Sequence, residues 1–328
     1  MTQEPDLDEH WLGRIRSFVG DALEEYEAQQ GKLKGITLEL EQSKPLDEPV
    51  TSAWVDGGSA HFDLSGGSLY IVRAAAGVFR PDAPIEWFSK TNVGFTTLPR
   101  DVDRFVGIQR DTLEIECILE ALSGRPEFAV LDNGLASYAT MGVPHSTLRY
   151  FTSAAPDDSP EYEYFEAFVK FMRRFDVLIQ QCQVLNTGLI GATKDPRSRA
   201  YARSLGLGHR MIDASAIAML ARGQTGFTKP LKATYLEVPR VKNYLHDHSI
   251  LTNGRGEFMR MFTILKPNSR VFRLDYLATQ RKMMNRIRGF ALSMHDGNGY
   301  LMPSHVVHNK AAIPLQLSDS LLTLVQAS

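Results

Sequence analysis

The sequence predicts an α/β fold in which a mixed sheet is flanked by helices, with additional α/β elements. Segments typical of short β-strands come first, between residues 51 and 79. A helix-like segment and an apolar strand-like run come next, at 110–123 and 128–131, and both types recur towards the C-terminus. The chain has 328 residues, of which 43% are hydrophobic, so it is long enough to bury a sizeable core.

The first predicted element is an amphipathic helix at residues 8–30. Trp11, Ile15 and Phe18 recur there at helical spacing and form one apolar face. A polar, proline-containing stretch near residues 42–50 separates this helix from the rest of the chain. We therefore divide the chain into an N-terminal helical extension, residues 1–48, and a main domain, residues 49–328.

The main domain begins with a β pattern. The segments SAWVDGG, SAHFDLSGG and SLYIVRAAAGVF predict short strands separated by Gly and Ser turns. Residues 110–123 then predict a helix whose apolar stripe includes Ile115 and Ile118. The run FAVLDNG is typical of a buried central strand that presents Asp132 at its tip.

The second half of the chain alternates between the two patterns. Helices are predicted at 160–185, at 195–222 as one or two helices, at 279–294 and after Pro303. Strands are predicted in QVLNTGLIGATK, ATYLEV, FMRMFTILK and RVFRLDYL, and a turn is predicted at DGNG.

Charge is distributed unevenly along the chain. Residues 1–193 contain 16 Lys and Arg against 30 Asp and Glu, whereas residues 194–288 contain 19 against 6. A clustered positive region is an electrostatic feature of proteins that bind nucleic acid, although solvated surface charges give the same count. The net charge of −2 hides this asymmetry.

Several classes of protein are disfavoured by the sequence. No apolar run approaches the roughly 20 residues of a membrane-spanning helix, and the N-terminus is acidic where a signal peptide would be basic. We therefore expect a cytoplasmic protein. The two cysteines, Cys117 and Cys182, form no CxxC pair, so they predict neither a zinc site nor a disulfide framework.

Two aspartates stand at the tips of predicted strands. Asp56 precedes two glycines in WVDGGSA, and Asp132 follows FAVL. A single Asp-Gly pair is more typical of a turn, but two carboxylates at neighbouring strand tips form the oxygen-rich site that Mg²⁺ or Mn²⁺ prefers. A divalent ion held there can activate water and neutralise charge on a scissile phosphate.

The helix between these strands offers a third carboxylate. Glu114 and Glu116 lie about 100° to either side of Ile115 around the helix axis, so helical spacing does not choose between them. We favour Glu114 and keep Glu116 as the alternative metal ligand.

Histidines supply further candidates near the C-terminus. Tyr300 and His308 stand eight residues apart, and His305 lies on the same face of the predicted helix as His308. Histidine can bind a metal, protonate a leaving oxygen or hydrogen-bond a phosphate, although a lone histidine is more often structural. His246 and His248 have the spacing of metal ligands on a strand, but with no third partner nearby they are assigned to the surface.

The densest basic stretch is KDPRSRAYARSLGLGHR. Lys194 follows the apolar strand GLIGAT and is expected to project from its tip towards a DNA phosphate. Arg197, Arg199 and Arg203 are further candidates for DNA binding, and a solvated helix face is the alternative for the last two.

Taken together, these segments resemble the NurA nuclease family, the DNA-end-processing partners of the hexameric translocase HerA. The resemblance spans roughly residues 50–315 and rests on WVDGGSA, the acidic helix, VLDNGLA, GATKDPRSR and GY followed eight residues later by a histidine. Two local departures are Asp132-Asn133-Gly134, where the family is DGS-like, and Val307-His308, where it has Ala-His.

The resemblance implies a ribonuclease H-like fold, a homodimer and a site for Mn²⁺ or Mg²⁺. It implies an exonuclease or endonuclease on single- or double-stranded DNA, of the 5′–3′ end-resection type, acting in repair, recombination or antiviral defence. Asp56, Glu114 and Asp132 correspond to the family's acidic ligands, and Tyr300 and His308 to its C-terminal catalytic pair. The sequence has no GxxxxGK[ST] phosphate loop, so any ATP-driven motor, such as HerA, must be another chain.

Two alternative functions use the same residues. Asp-Gly-Gly-Ser followed by Asp132-Asn133-Gly134 is similar to the phosphate-binding turns of actin-like ATPases and sugar kinases, which share the core fold. Residues 250–300 lack an evident glycine-rich turn for adenosine, which counts against a phosphotransferase. The other alternative is a non-catalytic adaptor of a DNA translocase, in which loss of the carboxylates would be expected.

Overall fold

The computed structural model describes residues 27–28, 31, 33–98, 100–136, 143–152, 158–194, 196, 198–207, 211–233, 239–314 and 323. The helix predicted at 8–30 lies outside the described residues except for Glu27 and Ala28, which are helical. Arg197 lies outside them as well.

One mixed sheet organises the described part of the chain. Its nine strands are β1 Ser52–Leu64, β2 Gly67–Phe79, β3 Glu86–Thr96, β4 Phe128–Leu131, β5 Gly188–Thr193, β6 Gly226–Phe227, β7 Leu231–Ala233, β8 Phe258–Ile264 and β9 Val271–Leu277. The strand order is β3-β2-β1-β4-β5-β9-β8-β6, and β7 pairs with β8.

A long hairpin forms the first part of the sheet. Strands β1 and β2 pair antiparallel from Ser52↔Phe79 to Leu64↔Gly67, so the connection is a two-residue turn. The turn predicted at Gly57-Gly58 is wrong, because both glycines are paired within this ladder. Three predicted short strands are therefore two long ones.

Strand β3 was not predicted from the sequence. It pairs antiparallel with β2 and forms one edge of the sheet, where most of its residues are partly or fully exposed. An exposed edge strand needs no regular apolar alternation, so the pattern used to find buried strands misses it.

The centre of the sheet confirms the predicted fold class. Strand β4 pairs parallel with β1, and β5 pairs parallel with β4, whereas β9 runs antiparallel to β5. An antiparallel β1–β2–β3 unit followed by two strands parallel to β1 is the ribonuclease H-like arrangement. The carboxyl ends of β1, β4 and β5 share one direction, and strands β6 to β9 are the additional elements.

The helices cover both faces of this sheet. Those described are α1 Val102–Ala121, α2 Pro160–Leu185, α3 Ala200–Ser204, α4 Asp213–Ala221, α5 Pro239–Asp247, α6 Met284–Met294 and α7 Met302–Ala311. Short 3₁₀ segments occur at Leu122–Gly124, His145–Phe151 and Ala278–Met283.

Most helix predictions agree with the structure. The predicted 160–185 helix is α2, the 195–222 region contains α3 and α4, and the helix after Pro303 is α7, which begins one residue earlier. Helix α1 starts at Val102, eight residues before the predicted start. His246 lies in α5, so its predicted placement on a strand is wrong; of ATYLEV, only Ala233 is described.

Strand β4 shows why the fold needs a continuous apolar run. Ala129 and Leu131 face the core that contains α1 and α2, whereas Phe128 and Val130 face the core that contains α6 and α7. A strand buried on both faces has no solvent-facing position, so every residue of FAVL is apolar. The two aspartates are held at the end of this doubly covered region.

Both cysteines belong to the interior. Cys117 and Cys182 are free and buried, and burial raises the pKa of each thiol to about 12. They are packing residues. Among the described residues, no helix combines the length and apolar character that a membrane span requires.

Truncation of Phe128 tests the packing beneath the site. Its ring is fully buried and stacks on Phe290 with a centroid separation of 4.3 Å. We expect Phe128→Ala to lower the free energy of unfolding by about 3–5 kcal/mol, because a large buried ring leaves a cavity. Phe95→Ala on the sheet edge, where the side chain is 49% exposed, should change it by less than about 1 kcal/mol in urea denaturation. Equal losses would contradict this packing.

Candidate active site

Asp56 and Asp132 lie side by side at one end of the central strands. Val55 pairs with Leu131 in the parallel β1–β4 ladder. The residue after each of them is an aspartate, so the two aspartates lie next to each other across the sheet. Asp56 is buried and lies within β1, where it pairs with Ala75 of β2. Asp132 comes directly after β4. The parallel register therefore brings together two carboxylates that are 76 positions apart in the chain.

The ammonium group of Lys194 contacts both carboxylates. Its Nζ atom lies 2.8 Å from Oδ2 of Asp132 and 3.7 Å from Oδ2 of Asp56. Lys194 directly follows β5, the third parallel strand, as the sequence predicted. Burial acts to lower the pKa of Lys194, but the two carboxylates outweigh it and raise that pKa. Lys194 is therefore a charged member of the acidic site.

Asp132 has an unusually high pKa. Burial and the neighbouring Asp56 carboxylate raise the pKa of Asp132 to about 7, although Lys194 and Ser304 act in the opposite direction. Two neighbouring carboxylates that are largely shielded from water repel each other when both are ionised. The pair therefore favours a cation between them.

Helix α7 adds a histidine and a serine to this pair. Nδ1 of His308 lies 2.8 Å from Oδ2 of Asp56, and Oγ of Ser304 donates to Oδ1 of Asp132 over 2.8 Å. Ser304 and His308 are four residues apart and so share one face of the helix. The imidazole side chain is 57% exposed, so the ring joins the buried carboxylates to the surface.

Glu114, and not Glu116, packs against Gly57, the residue that follows Asp56 in β1. Glu114 is buried, and a Cβ atom added at the neighbouring Gly57 would lie 2.5 Å from its Oε1 atom. Glu116 instead forms salt bridges with Lys90 and Arg174 at 3.3 and 3.9 Å, away from the aspartates. The structure therefore favours Glu114 as the helix carboxylate and gives no support to Glu116 as a metal ligand.

A fourth carboxylate, Asp111, was missed from the sequence. It is buried on α1, and its Oδ1 atom accepts hydrogen bonds from Nε and Nη2 of Arg110 at 3.0 and 2.7 Å. Burial raises the pKa of Asp111, and the negative charge of Asp56 adds to that effect. Its position three residues before Glu114, on the same helix face, is the sequence signal that could have identified it.

Tyr300 lies at the border of the site. Its ring centroid is 5.9 Å from Nζ of Lys194 and 5.9 Å from Cζ of Arg270, and the ring packs edge-on against Phe272. Tyr300 therefore lies next to Lys194, which in turn contacts the two carboxylates. His305, the alternative to His308, is exposed and contacts Asn309.

The other predicted residues lie outside the carboxylate cluster. Arg199 and Arg203 are exposed at α3, as expected for either DNA contacts or a solvated helix face. His246 and His248 are also exposed.

The loop that begins at Asp132 is anchored by strand β9. The amide of Ala136 donates to Oδ2 of the buried Asp275 over 3.2 Å, and Nε of Arg260 contacts the other oxygen at 3.0 Å. The loop also crosses close to β5, because a Cβ atom at Gly191 would lie 2.4 Å from the carbonyl oxygen of Asn133. Glycine at this position therefore lets the loop lie against the sheet.

The donor set fits a hard divalent cation. Within the described residues, no three acidic, histidine or cysteine side chains already surround one point as metal ligands. The positive charge that the two aspartates share in this structure is the Lys194 ammonium. Carboxylate oxygens that converge on a positive charge are the ligands that Mg²⁺ and Mn²⁺ prefer.

Solved structures share this fold along almost the whole chain. The NurA nuclease from Sulfolobus solfataricus aligns with a TM-score of 0.70 and 15% identity, covering 99% of this chain and 97% of that one. A NurA with manganese aligns with a TM-score of 0.61 and 13% identity, covering 96% and 97%. A NurA bound to dAMP and manganese aligns with a TM-score of 0.60 and 13% identity, covering 94% of both.

Family comparison gives the assignment. No curated protein matches the chain closely enough to count as a relative. The NurA domain, however, matches residues 53–313, which include Asp56, Glu114, Asp132 and His308. Because that match covers most of the chain, the protein belongs to the NurA nuclease family.

Proposed function

We propose that this chain is a metal-dependent DNA nuclease that hydrolyses phosphodiester bonds at the cluster around Asp56 and Asp132. The observation that carries the proposal is the convergence of a buried carboxylate, Asp56, and a half-buried one, Asp132, from adjacent parallel strands, on one positive charge. Membership of the NurA family supports a nuclease over a phosphotransferase built on the same core. Retention of every predicted carboxylate argues against a non-catalytic adaptor.

Asp56, Asp132 and Glu114 are the residues that would hold Mn²⁺ or Mg²⁺. Such an ion, when bound, lowers the pKa of water and neutralises charge that develops on the phosphate. Binding needs both aspartates ionised and the Lys194 ammonium moved away from the space between them. Lys194 can move because it follows the end of β5 and ends in a flexible side chain.

The remaining residues have roles that follow from their contacts. Asp56 engages Nδ1 of His308, so Nε2 is the nitrogen available to a phosphate oxygen or to the leaving oxygen. Displaced from the carboxylates, Lys194 offers its ammonium to a phosphate, and Tyr300 stands next to it. Ser304 fixes the orientation of the Asp132 carboxylate.

We infer the partners and the biological role from the family. We propose that the chain works as a homodimer with a HerA-type hexameric ATPase in DNA-end resection, in repair, recombination or defence. The absence of a phosphate loop from the sequence supports a separate motor. The exposed arginines of α3 support contact with DNA.

Loss of either aspartate should abolish the activity. We expect Asp56→Asn and Asp132→Asn each to reduce Mn²⁺-dependent cleavage of single-stranded and linear DNA by more than about a hundredfold, since even supporting residues of metal sites contribute 10- to 100-fold. Mn²⁺ affinity, measured by titration calorimetry, should fall in parallel. Glu116→Gln is the matched control and should retain both properties.

The same assay separates the alternatives. DNA cleavage that survives in both aspartate variants would overturn the assignment of the site. ATP turnover without DNA cleavage would favour a phosphotransferase, and cleavage that appears only with a HerA-type ATPase would show dependence on the motor.

Gly57→Ala tests the position of Glu114. The added methyl group would collide with Oε1 of Glu114, so the carboxylate must leave its present position. We expect Mn²⁺ affinity to fall at least about tenfold, the low end for disturbed metal sites. Gly66→Ala in the β1–β2 turn, where a Cβ atom would meet nothing within 4 Å, is the control. Unchanged affinity in Gly57→Ala would argue that Glu114 is not a ligand.

DNA binding should weaken as salt rises. Phosphate contacts release counterions, and each one contributes about 0.7–0.9 to the slope of log affinity against log salt. We expect Arg199→Ala and Arg203→Ala each to reduce that slope by about 0.7–0.9, measured by fluorescence anisotropy without metal. Arg240→Ala on α5 should leave it unchanged, and a slope near zero for the wild-type protein would refute electrostatic binding.

A further inference from the structure

A layer of charged side chains covers one face of the sheet at the end where β5 stops. Leu189, Phe258 and Leu277 on this face belong to the apolar core that contains α1 and α2. Two residues further along each strand, towards the carboxyl end of β5, the apolar core gives way to charge. This charge layer consists of Arg260, Arg273 and Asp275, together with Asp213 at the start of α4, a helix that packs on β8 and β9.

The charges of the layer balance one another. Asp213 and Asp275 are fully buried, and Arg273 is 4% exposed. Oδ1 of Asp275 accepts a hydrogen bond of 3.0 Å from Nε of Arg260 and lies 3.4 Å from Nε of Arg273. Burial lowers the pKa of Arg273, and the carboxylates of Asp275 and Asp213 oppose that effect. Apolar side chains in place of buried ion pairs often leave a fold as stable or more stable, so stability alone does not account for this layer.

Asp275 also holds the loop that follows Asp132. Its Oδ2 atom accepts a hydrogen bond of 3.2 Å from the amide of Ala136, four residues after that aspartate. A Cβ atom at Gly134 would overlap Nη2 of Arg273 and lie 2.6 Å from Oδ2 of Asp275. The backbone of the loop therefore rests directly on the charge layer.

Asp213 holds the segment that follows Lys194. Its Oδ2 atom accepts a hydrogen bond of 2.6 Å from Oγ of Ser198, and its Oδ1 atom accepts one of 2.8 Å from the amide of Ala202. These two donors flank Arg199, one of the exposed arginines proposed to contact DNA. The placement of that guanidinium group therefore depends on a buried carboxylate.

We propose that the charge layer positions two functional segments of the nuclease: Asp275 is the positioning residue for Asp132, and Asp213 is the positioning residue for Arg199. This inference rests on the proposed function and deepens it, because it assigns metal binding and DNA binding to two different buried acids. A layer that only stabilised the fold would give both acids the same effect.

Asp275→Asn tests the first assignment. Asparagine offers one acceptor oxygen where the carboxylate offers two, so it cannot keep the bonds to the arginines and to the loop together. We expect Mn²⁺ affinity, measured by titration calorimetry, to fall about tenfold, the low end for residues that orient metal ligands. Cleavage should recover at about ten times the Mn²⁺ concentration, because the ligands themselves remain. DNA affinity, measured by anisotropy in EDTA, should match the wild-type protein.

Asp213→Asn should give the converse result. Mn²⁺ affinity should stay unchanged, and the slope of log DNA affinity against log salt should fall by about 0.7–0.9, the contribution of one phosphate contact. Arg199→Ala should cause no further fall in the Asp213→Asn background, because the two residues act through the same contact. Additive losses would contradict the role of Asp213.

Asp176→Asn is the matched control for loss of a buried ion pair. Asp176 is buried, contacts Nε of Arg255 at 2.6 Å and accepts a hydrogen bond of 3.0 Å from the amide of Leu251, so it holds the segment after α5 in the same way. This variant should lower the Tm but keep the wild-type Mn²⁺ affinity and salt slope. A loss of Mn²⁺ affinity here would contradict a specific role for Asp275.

Gly134→Ala keeps the inference testable if Asp275→Asn does not fold. The added methyl group displaces the same loop and leaves the charges of the layer unchanged. Mn²⁺ affinity should again fall about tenfold, with DNA affinity in EDTA unchanged and Gly66→Ala as the control.

The results for the wild-type protein separate this inference from the proposed function. Wild-type protein that neither binds Mn²⁺ nor cleaves DNA would overturn both. If it does both, wild-type Mn²⁺ affinity in Asp275→Asn and Gly134→Ala would overturn this inference alone. Equal losses of Mn²⁺ and DNA affinity in Asp275→Asn and Asp213→Asn would do the same.

Discussion

The electrostatic balance among Asp56, Asp132 and Lys194 is the constraint on which the site depends. The carboxylates of the buried Asp56 and the half-buried Asp132 repel each other, and the positive charge that contacts both offsets that repulsion. Every neighbouring element contributes to the same balance. Helix α7 supplies hydrogen bonds through His308 and Ser304, and β5 supplies the cation. The fold can therefore shield the carboxylates from most of the solvent while the His308 side chain remains exposed.

The boundary between the acidic and the basic parts of the chain lies at this site. The site carboxylates all belong to the acidic residues 1–193, and Lys194 is the first residue of the basic stretch. Strand order places β9, from the basic stretch, directly beside β5, so the oppositely charged parts meet at the site.

Local patterns predicted the central strands and both aspartates, because a doubly buried strand is apolar throughout and its first polar residue marks its end. These patterns failed where a residue's position or role depends on contacts with residues that are distant in the sequence. The Asp56 strand was divided at Gly57, since a glycine pair is usually a turn and here permits close approach of Glu114. Lys194 was assigned to DNA alone, because nothing in its own segment reveals the two aspartates facing it. Helical spacing did not distinguish Glu114 from Glu116. The packing of α1 against β1 does, because only Glu114 contacts Gly57.

The backbones of Asp56 and Asp132 are held in place differently. Ladder pairs on both sides, Val55↔Ala76 and Gly57↔Ala74, hold the backbone of Asp56, whereas Asp132 stands beyond the end of β4. Contacts with Lys194 and Ser304 orient the side chain of Asp132 instead. The position of one carboxylate is thus a property of the sheet, and the position of the other is a property of two side chains that come from later segments of the chain.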